Sequence, residues 1–519
     1  MEQVASNHKI EPELKQGTLI LCPPDTKLLE ILFLVVEFLE RNPEILTIIE
    51  KDQDAQGLTK KIKRLRNKRY HEEKNEKLLG FDVSQQSVEN SSEKIELYQG
   101  RPRMSPFQVF IFMILRGYFG SIKAAQAYER LVDSMTLYNF FLEHNLSMPS
   151  PNTILDNLNC LSSDTYATIH KAQLAMIMVM DLDDFCQAYI DSTTVEANSA
   201  WPTDSRIMLK LVRRIFKMGN KLQGFGLANF VDHWVPFWLK ALGTLDFAID
   251  NLGNTRGSRR KRKVLYRKFL DKAEKALEYL YGELEKANDS FLLLDLEPSK
   301  KDQLGEVLSH IEADIMDGLH VVYYASSRVL EDITIGAEDK ILSIRDRSAA
   351  MIMKGGREPK LGYRVQIVRS ANGFIGSIDV PEGNISDVVE LVPTISDFIN
   401  QTTVVPFLVS TDDGYSSKFN LDELKDLWIR YISMNGSKGK KLTDDELWDS
   451  PELKDARRNR SSIEGLIGTL KNRYDFGQLR RWGLKAVKSE LMEIVISYNF
   501  CRMVELGASH CLRKERAVA

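Results

Sequence analysis

The chain has 519 residues, 43% hydrophobic and 28% charged, with a formal net charge of -3. These values suit a globular protein of two or three domains. They carry no global basic bias, so any nucleic-acid binding has to come from local charge. Five scattered cysteines without a CxxC pair argue against a zinc finger or a disulfide framework and suit a reducing intracellular compartment.

Met1–Gln16 is polar, and its lack of an apolar segment behind a basic start argues against a signal peptide. Leu28–Leu39 is apolar but carries Glu30 and Glu37 and is too short to span a bilayer. We read it as a buried helix and expect no membrane association. Helix signals run from Thr26 to about Leu79 and include the basic run Lys60–Arg69; Phe81–Pro102 is rich in Ser, Gln, Asn and Glu. Residues 1–80 are therefore expected to form a helical N-terminal region and 81–102 a linker.

A second helical block is expected over 103–180. Pro106–Tyr118 is apolar, Ser121–Leu131 is amphipathic behind a Ser cap, and Ser150-Pro151-Asn152-Thr153 is a turn and cap before Ile154–Leu161. Short helices joined by tight turns fit a helix-turn-helix DNA reader. Pattern alone fits a small helical bundle with no ligand equally well.

At Phe185 the pattern changes, and Phe185–Thr194 reads as a buried strand ending in polar residues. Helix signals return from Ser205 to about Glu312, including the long charged segment Arg259–Lys286. Gly362–Ser370 and Phe374–Val380 flank Ala371-Asn372-Gly373 and read as a hairpin. Then follow a helix (Ser386–Ile399), a strand (Val404–Ser410), a helix (Ser416–Leu427), a strand (Trp428–Ser433) and two helices (Leu453–Tyr474 and Lys485–Leu506). This order predicts an α/β fold: a mixed sheet flanked by helices, with a helical insertion at about 201–340 between its first and second strands.

Asp191 follows the apolar run Ala188-Tyr189-Ile190, and Asp412 follows the run that begins at Phe407. Ends of buried strands are favoured places for active sites in open α/β sheets. Glu464 is expected inside a helix, four residues after Arg460 and seven before Lys471, offsets that return to one helix face. Alone, that pattern also fits a surface ion pair worth a few tenths of a kcal/mol. Neighbouring side chains on an extended segment point to opposite faces, so only one of Asp412 and Asp413 can face the same site as Asp191. Glu196 and Asp204 are fallback carboxylates near Asp191; surface or turn positions are their other reading.

The segment Asn459–Lys471, with Arg460, three residues, Glu464, six residues and Lys471, resembles the C-terminal signature of bacterial insertion-sequence transposases of the DDE type. Thr411-Asp412-Asp413-Gly414-Tyr415-Ser416 resembles that family's Asp-x-Gly-Tyr motif and selects Asp412. Tyr189–Asn198 resembles its first-aspartate motif, and Tyr363–Val368 and Gly477–Gly483 also fit. The chain departs from the family at Arg457, where several members carry Tyr.

The resemblance spans roughly Phe185–Leu506 and implies an RNase H-like catalytic domain over 181–506, with a tail over 507–519. Such a core draws its carboxylates from the first strand, the fourth strand and a late helix. Asp191, Asp412 and Glu464 are then the catalytic residues and the ligands of two Mg²⁺ ions, with Mn²⁺ as a substitute. Arg460, Lys471, Arg457 and Arg473 are expected to contact DNA. The implied partners are double-stranded DNA, both transposon ends and target, and a second copy of the chain on that DNA. The implied location is the bacterial cytoplasm, in association with the nucleoid.

Arg256–Arg262 reads either as a mobile phosphate-binding loop, with Arg259, Arg260 and Arg262 as contacts, or as a solvated loop. Trp201, Trp234 and Trp238 read either as base-stacking groups or as core. Three other functions fit parts of the sequence: a catalytically silent, transposase-derived DNA-binding protein, another RNase H-like nuclease such as a resolvase, and a helical scaffold.

Overall fold

The computed structural model describes residues 26–57, 103–119, 129, 132–223, 227, 234–253, 255–294, 298–353, 358–509 and 511–512. The basic run Lys60–Arg69, the linker 81–102 and all of Ser121–Leu131 except Glu129 lie outside them.

Two helices open the described chain, α1 (Thr26–Arg41) and α2 (residues 44–57). Then come α3 (Pro106–Tyr118), α4 (Met135–Glu143), α5 (Pro151–Leu158) and α6 (Ser163–Val179). Ser105, Ser134, Ser150 and Ser162 cap the last four, each accepting a backbone N–H of the first turn. Pro106 and Pro151 occupy the first helical position, where no donor is lost.

The sheet begins with β1 (Gln187–Glu196). A helical insertion follows, with four helices among its described residues: α7 (Asp204–Gln223), α8 (Trp234–Asp250), α9 (Arg256–Leu293) and α10 (Pro298–Val329). The chain re-enters the sheet through β2 (Ala350–Ile352), β3 (Lys360–Arg369) and β4 (Ile375–Asp379). Next are α11 (Asp387–Thr402), β5 (Leu408–Asp412), α12 (Lys418–Asp426) and β6 (Tyr431–Asn435). The remaining helices are α13 (Ser437–Leu442), α14 (Asp445–Trp448), α15 (Pro451–Asn459), α16 (Ser461–Arg473) and α17 (Leu484–Glu505).

The strand order is β2-β3-β1-β5-β6, and β4 also pairs with β3. β1 runs antiparallel to β3 and parallel to β5, and β5 runs parallel to β6. β2 pairs with the start of β3 and β4 with its end, so the two short strands share one edge. β1 is covered on both faces, which is why its first half is a continuous buried run rather than an alternating one.

α11 and α17 pack against the β3–β4 side of the sheet, α6 packs on both of them, and α1 and α3 pack on α17. Residues from these helices and from the sheet form one apolar core, which includes Phe38, Phe110, Ile190, Val365 and Phe500. At the joint, Glu493 on α17 is fully buried and pairs with Arg116 of α3 and with Arg481, 3.4 Å away. The insertion helices pack on one another around a separate core centred on Leu211, Phe269 and Ile311.

Several expected boundaries move. β5 starts at Leu408 rather than at Val404, beyond Pro406, which lacks the N–H a ladder needs. β6 starts at Tyr431, because Trp428 takes a left-handed φ of 65° that no strand residue adopts. The single helix expected over Leu453–Tyr474 is two helices that meet at Arg460. Arg256–Arg262 is no loop: it forms the first turns of the 38-residue α9, capped by Thr255.

Candidate active site

Asp191 lies in the middle of β1, not at its end, opposite Ile367 of β3. Its position relative to Asp412 follows from the register. Tyr189 pairs in parallel with Ser410. Two residues further along each strand are Asp191 and Asp412, of equal parity and so on the same face. The ladder with β5 ends at Tyr189, so Asp191 stands at the point where the two parallel strands part.

The Asp191 Oδ1 accepts the Ser192 N–H at 2.7 Å, and its side chain is 11% exposed. Asp412 Oδ1 accepts the Gly414 N–H at 3.0 Å, which caps the short 3-10 turn Asp413–Tyr415. Asp413 points elsewhere. Its carboxylate accepts the backbone N–H of Lys438 and of Gly439, each at 3.0 Å, at the start of α13. Slight burial pushes the Asp413 carboxyl up, but these N–H donors and the Ser416 hydroxyl outweigh it and hold it below the usual carboxylate range. Gly436 makes the approach possible: its φ is 145°, and a Cβ there would stand 2.3 Å from the Asp413 Cγ.

Glu464 sits in the first turn of α16, where the helix dipole favours an anion. Arg460, at the break between α15 and α16, joins it to the two aspartates. The Arg460 Nη1 donates to Glu464 Oε1 at 2.8 Å, and Nη2 lies 3.6 Å from Asp191 Oδ2 and 3.8 Å from Asp412 Oδ2. One guanidinium thus stands among all three expected carboxylates.

Tyr415 forms the floor of this cluster. It is fully buried and donates to the Gln366 Oε1, while Gln366 donates to Asp387 at 3.0 Å. Burial, then the charges of Asp387, Asp191 and Asp412, push its phenol well above the ordinary value, so it stays a donor. The sequence reading used Tyr415 only as part of a motif and did not find Gln366 at all. A lone polar residue between Val365 and Ile367 of β3 was the available signal.

The remaining expected contacts scatter. Lys471 donates to the Thr194 carbonyl at 3.2 Å and so fastens α16 to β1. Arg457 stacks over Trp448 at 4.1 Å, and Arg473 is exposed. Arg259 and Arg260 are exposed on α9, but Arg262 donates to the Leu252 carbonyl at 3.0 Å and closes the turn before that helix. Glu196 pairs with Lys360, and Asp204 with Arg328 of α10, so neither fallback carboxylate joins the cluster. Trp201 is 51% exposed and Trp238 half-buried, so neither is a core residue, and the side chain of Trp234 lies outside the described part.

The cluster offers hard carboxylate oxygens, the donors that Mg²⁺ prefers. In the arrangement seen, with Arg460 among them, no three acidic, His or Cys groups of the described residues stand close enough to hold one ion. No described helix is long and apolar enough to cross a membrane.

No curated protein and no solved structure matches the chain. A family model does match part of it, over a stretch that begins after Asp191 and takes in Asp412, Arg460, Glu464 and Lys471. That family is the transposase DDE domain, matched at residues 340–500, and the match supports a transposase function for this chain.

Proposed function

We propose that the chain is a DNA transposase that cleaves phosphodiester bonds at transposon ends and joins the freed 3′-hydroxyl to target DNA, with Asp191, Asp412 and Glu464 as its catalytic carboxylates. The observation that carries this reading is the meeting of those three groups, from β1, β5 and α16, at one guanidinium. The strand order supports an RNase H-like core, since an antiparallel strand lies on one side of β1 and two parallel strands on the other.

The three carboxylates would hold two divalent ions, Mg²⁺ or Mn²⁺. When bound, such ions supply charge neutralisation at the attacking and leaving oxygens. Asp191 is the most enclosed of the three, being on a central strand, and would face both ions. Asp412 and Glu464 would each help to hold one ion. Tyr415 and Gln366 keep the floor beneath the aspartates hydrogen-bonded, so that the strands part at a fixed spacing. Arg473, Arg259 and Arg260 are exposed and would meet DNA phosphates without reading sequence. A second copy of the chain would hold the other transposon end.

The test compares the protein with Asp191→Asn on DNA that carries the ends of its element. Mg²⁺-dependent 3′ nicking by the wild type alone, with end binding retained by the variant, is the expected outcome. Normal nicking by Asp191→Asn would refute the assignment. Tight end binding with no nicking by the wild type in Mg²⁺ or Mn²⁺ would favour the catalytically silent DNA-binding protein.

A further inference from the structure

The carboxylate cluster already contains a cation. Arg460 is only 17% exposed, so its guanidinium is largely removed from water and faces Asp191, Asp412 and Glu464 together. A planar fork can face several carboxylates at once, which a point charge cannot do. Three carboxylates clustered this closely repel one another, and a cation between them lowers that repulsion.

Two features show that Arg460 is attracted to this position but not locked in it. Its contacts with the two aspartates, at 3.6 and 3.8 Å, are ion pairs beyond hydrogen-bond length. Its Nε is buried and makes no hydrogen bond, so the pose leaves a donor unsatisfied.

We propose that Arg460 is a resident counter-cation, which holds the three carboxylates together until divalent ions bind and must swing out of the cluster for those ions to enter. This rests on the reading that Asp191, Asp412 and Glu464 are metal ligands. Once displaced, the guanidinium lies beside the site where a DNA phosphate has to come, and phosphate is a preferred partner of that fork. A phosphate that draws Arg460 outward therefore raises metal affinity, and by linkage the metal raises DNA affinity by the same factor. The cluster thus loads its ions best on DNA.

The test is a Mn²⁺ titration of the full chain without DNA, followed by the spin resonance of free Mn²⁺. The proteins are the wild type, Arg460→Gln, Arg460→Lys and the double variant Asp191→Asn/Arg460→Gln. Arg460→Lys keeps the charge and loses the fork. Both single variants should bind Mn²⁺ about tenfold more tightly than the wild type, a coupling of ordinary size. The double variant should lose that gain. Without Mn²⁺, Arg460→Gln should melt below the wild type, and saturating Mn²⁺ should raise its melting temperature more. Equal affinity in the wild type and both single variants, with binding still lost on Asp191→Asn, would overturn the counter-cation and leave the metal site standing. A gain in Arg460→Gln but not in Arg460→Lys would reduce the effect to charge alone and overturn the forked contact. No Mn²⁺ bound by any protein would overturn the metal site and the counter-cation together.

Discussion

The sheet and the insertion use charge in opposite ways. In the insertion, cations and carboxylates meet in pairs that tie helices together. Arg206 and Asp250 join α7 to α8, Arg328 and Asp204 join the end of α10 to the start of α7, and Arg214 meets the buried Asp314 at 3.1 Å. Each pair nearly balances, and such pairs are architecture. Where β1 and β5 part, three carboxylates face one guanidinium. A protein gains no stability from crowding like charges, so we propose that this cluster on a central strand serves chemistry rather than packing. Strongly basic surface alone would have pointed to α9 instead.

The largest expected effect tests this contrast directly. Asp191→Asn and Asp412→Asn should each lower nicking by on the order of 10³-fold or more. Neither should lower the melting temperature of the DNA-free protein, because each removes one of three repelling charges. A nicking assay beside a melting curve reads both. A fall in stability as large as that for a buried ion pair would show that the cluster is structural after all.

A buried group that the fold keeps neutral gives the next effect. His170 on α6 lies under the sheet, with its Nε2 2.9 Å from the Ile375 carbonyl, and burial pushes its pKa down to about 4. The unfolded chain takes up this proton near the ordinary value of 6.5, while the folded chain does not until about 4. Stability is therefore full above pH 6.5 and falls as the pH drops through that window, by roughly 3 kcal/mol at most. Urea unfolding at both ends of the window should show this loss in the wild type and a smaller one in His170→Gln.

Much of the element order was legible because buried central strands read as apolar runs and capped helices carry their own punctuation. The apolar run Pro106–Tyr118 announced α3 and Ser150-Pro151 announced α5 before any packing was known. Strand ends were less legible. Asp191 reads as the end of a strand because the apolar run stops there, yet β3 continues to pair with β1 as far as Glu196. The three-residue β2 had no pattern of its own, since it exists only by pairing with β3. At the candidate site, the three carboxylates were singled out through strand ends and motifs, but the place of Arg460 among them was not legible. Helical periodicity related it to Glu464 only; its approach to the aspartates depends on the break between α15 and α16 and on where β1 and β5 part. Lys471 shows the reverse case, a cation on the expected helix whose ammonium reaches back to the Thr194 carbonyl.

Asp204→Asn probes the insertion side of the comparison with a smaller effect. Asp204 is 12% exposed and accepts the guanidinium of Arg328, which is 40% exposed. Because water can reach the abandoned arginine, the expected cost is below that of a fully buried pair, about 1–2 kcal/mol. It should appear as a lower melting temperature, with nicking per folded molecule unchanged. A loss of nicking without a loss of stability would give Asp204 a role in the chemistry and blur the line between the two regions.

The smallest effect lies on α16 itself. Gly465 and Gly468 follow Glu464 inside this helix, and a Cβ at either would meet nothing within 4 Å. Glycine inside a helix costs about 1 kcal/mol relative to alanine, and no close approach by another part of the chain requires it here. Gly465→Ala should therefore raise stability by nearly that amount. Gly465 is exposed and adjacent to Glu464, on a helix that the proposed function places against DNA. If the duplex comes close at this point, the added methyl should weaken end binding a few-fold while the fold is stabilised, a combination that only an external partner can produce. Higher stability with unchanged DNA affinity would place the duplex away from this surface and leave DNA contact there to Arg460 and Arg473.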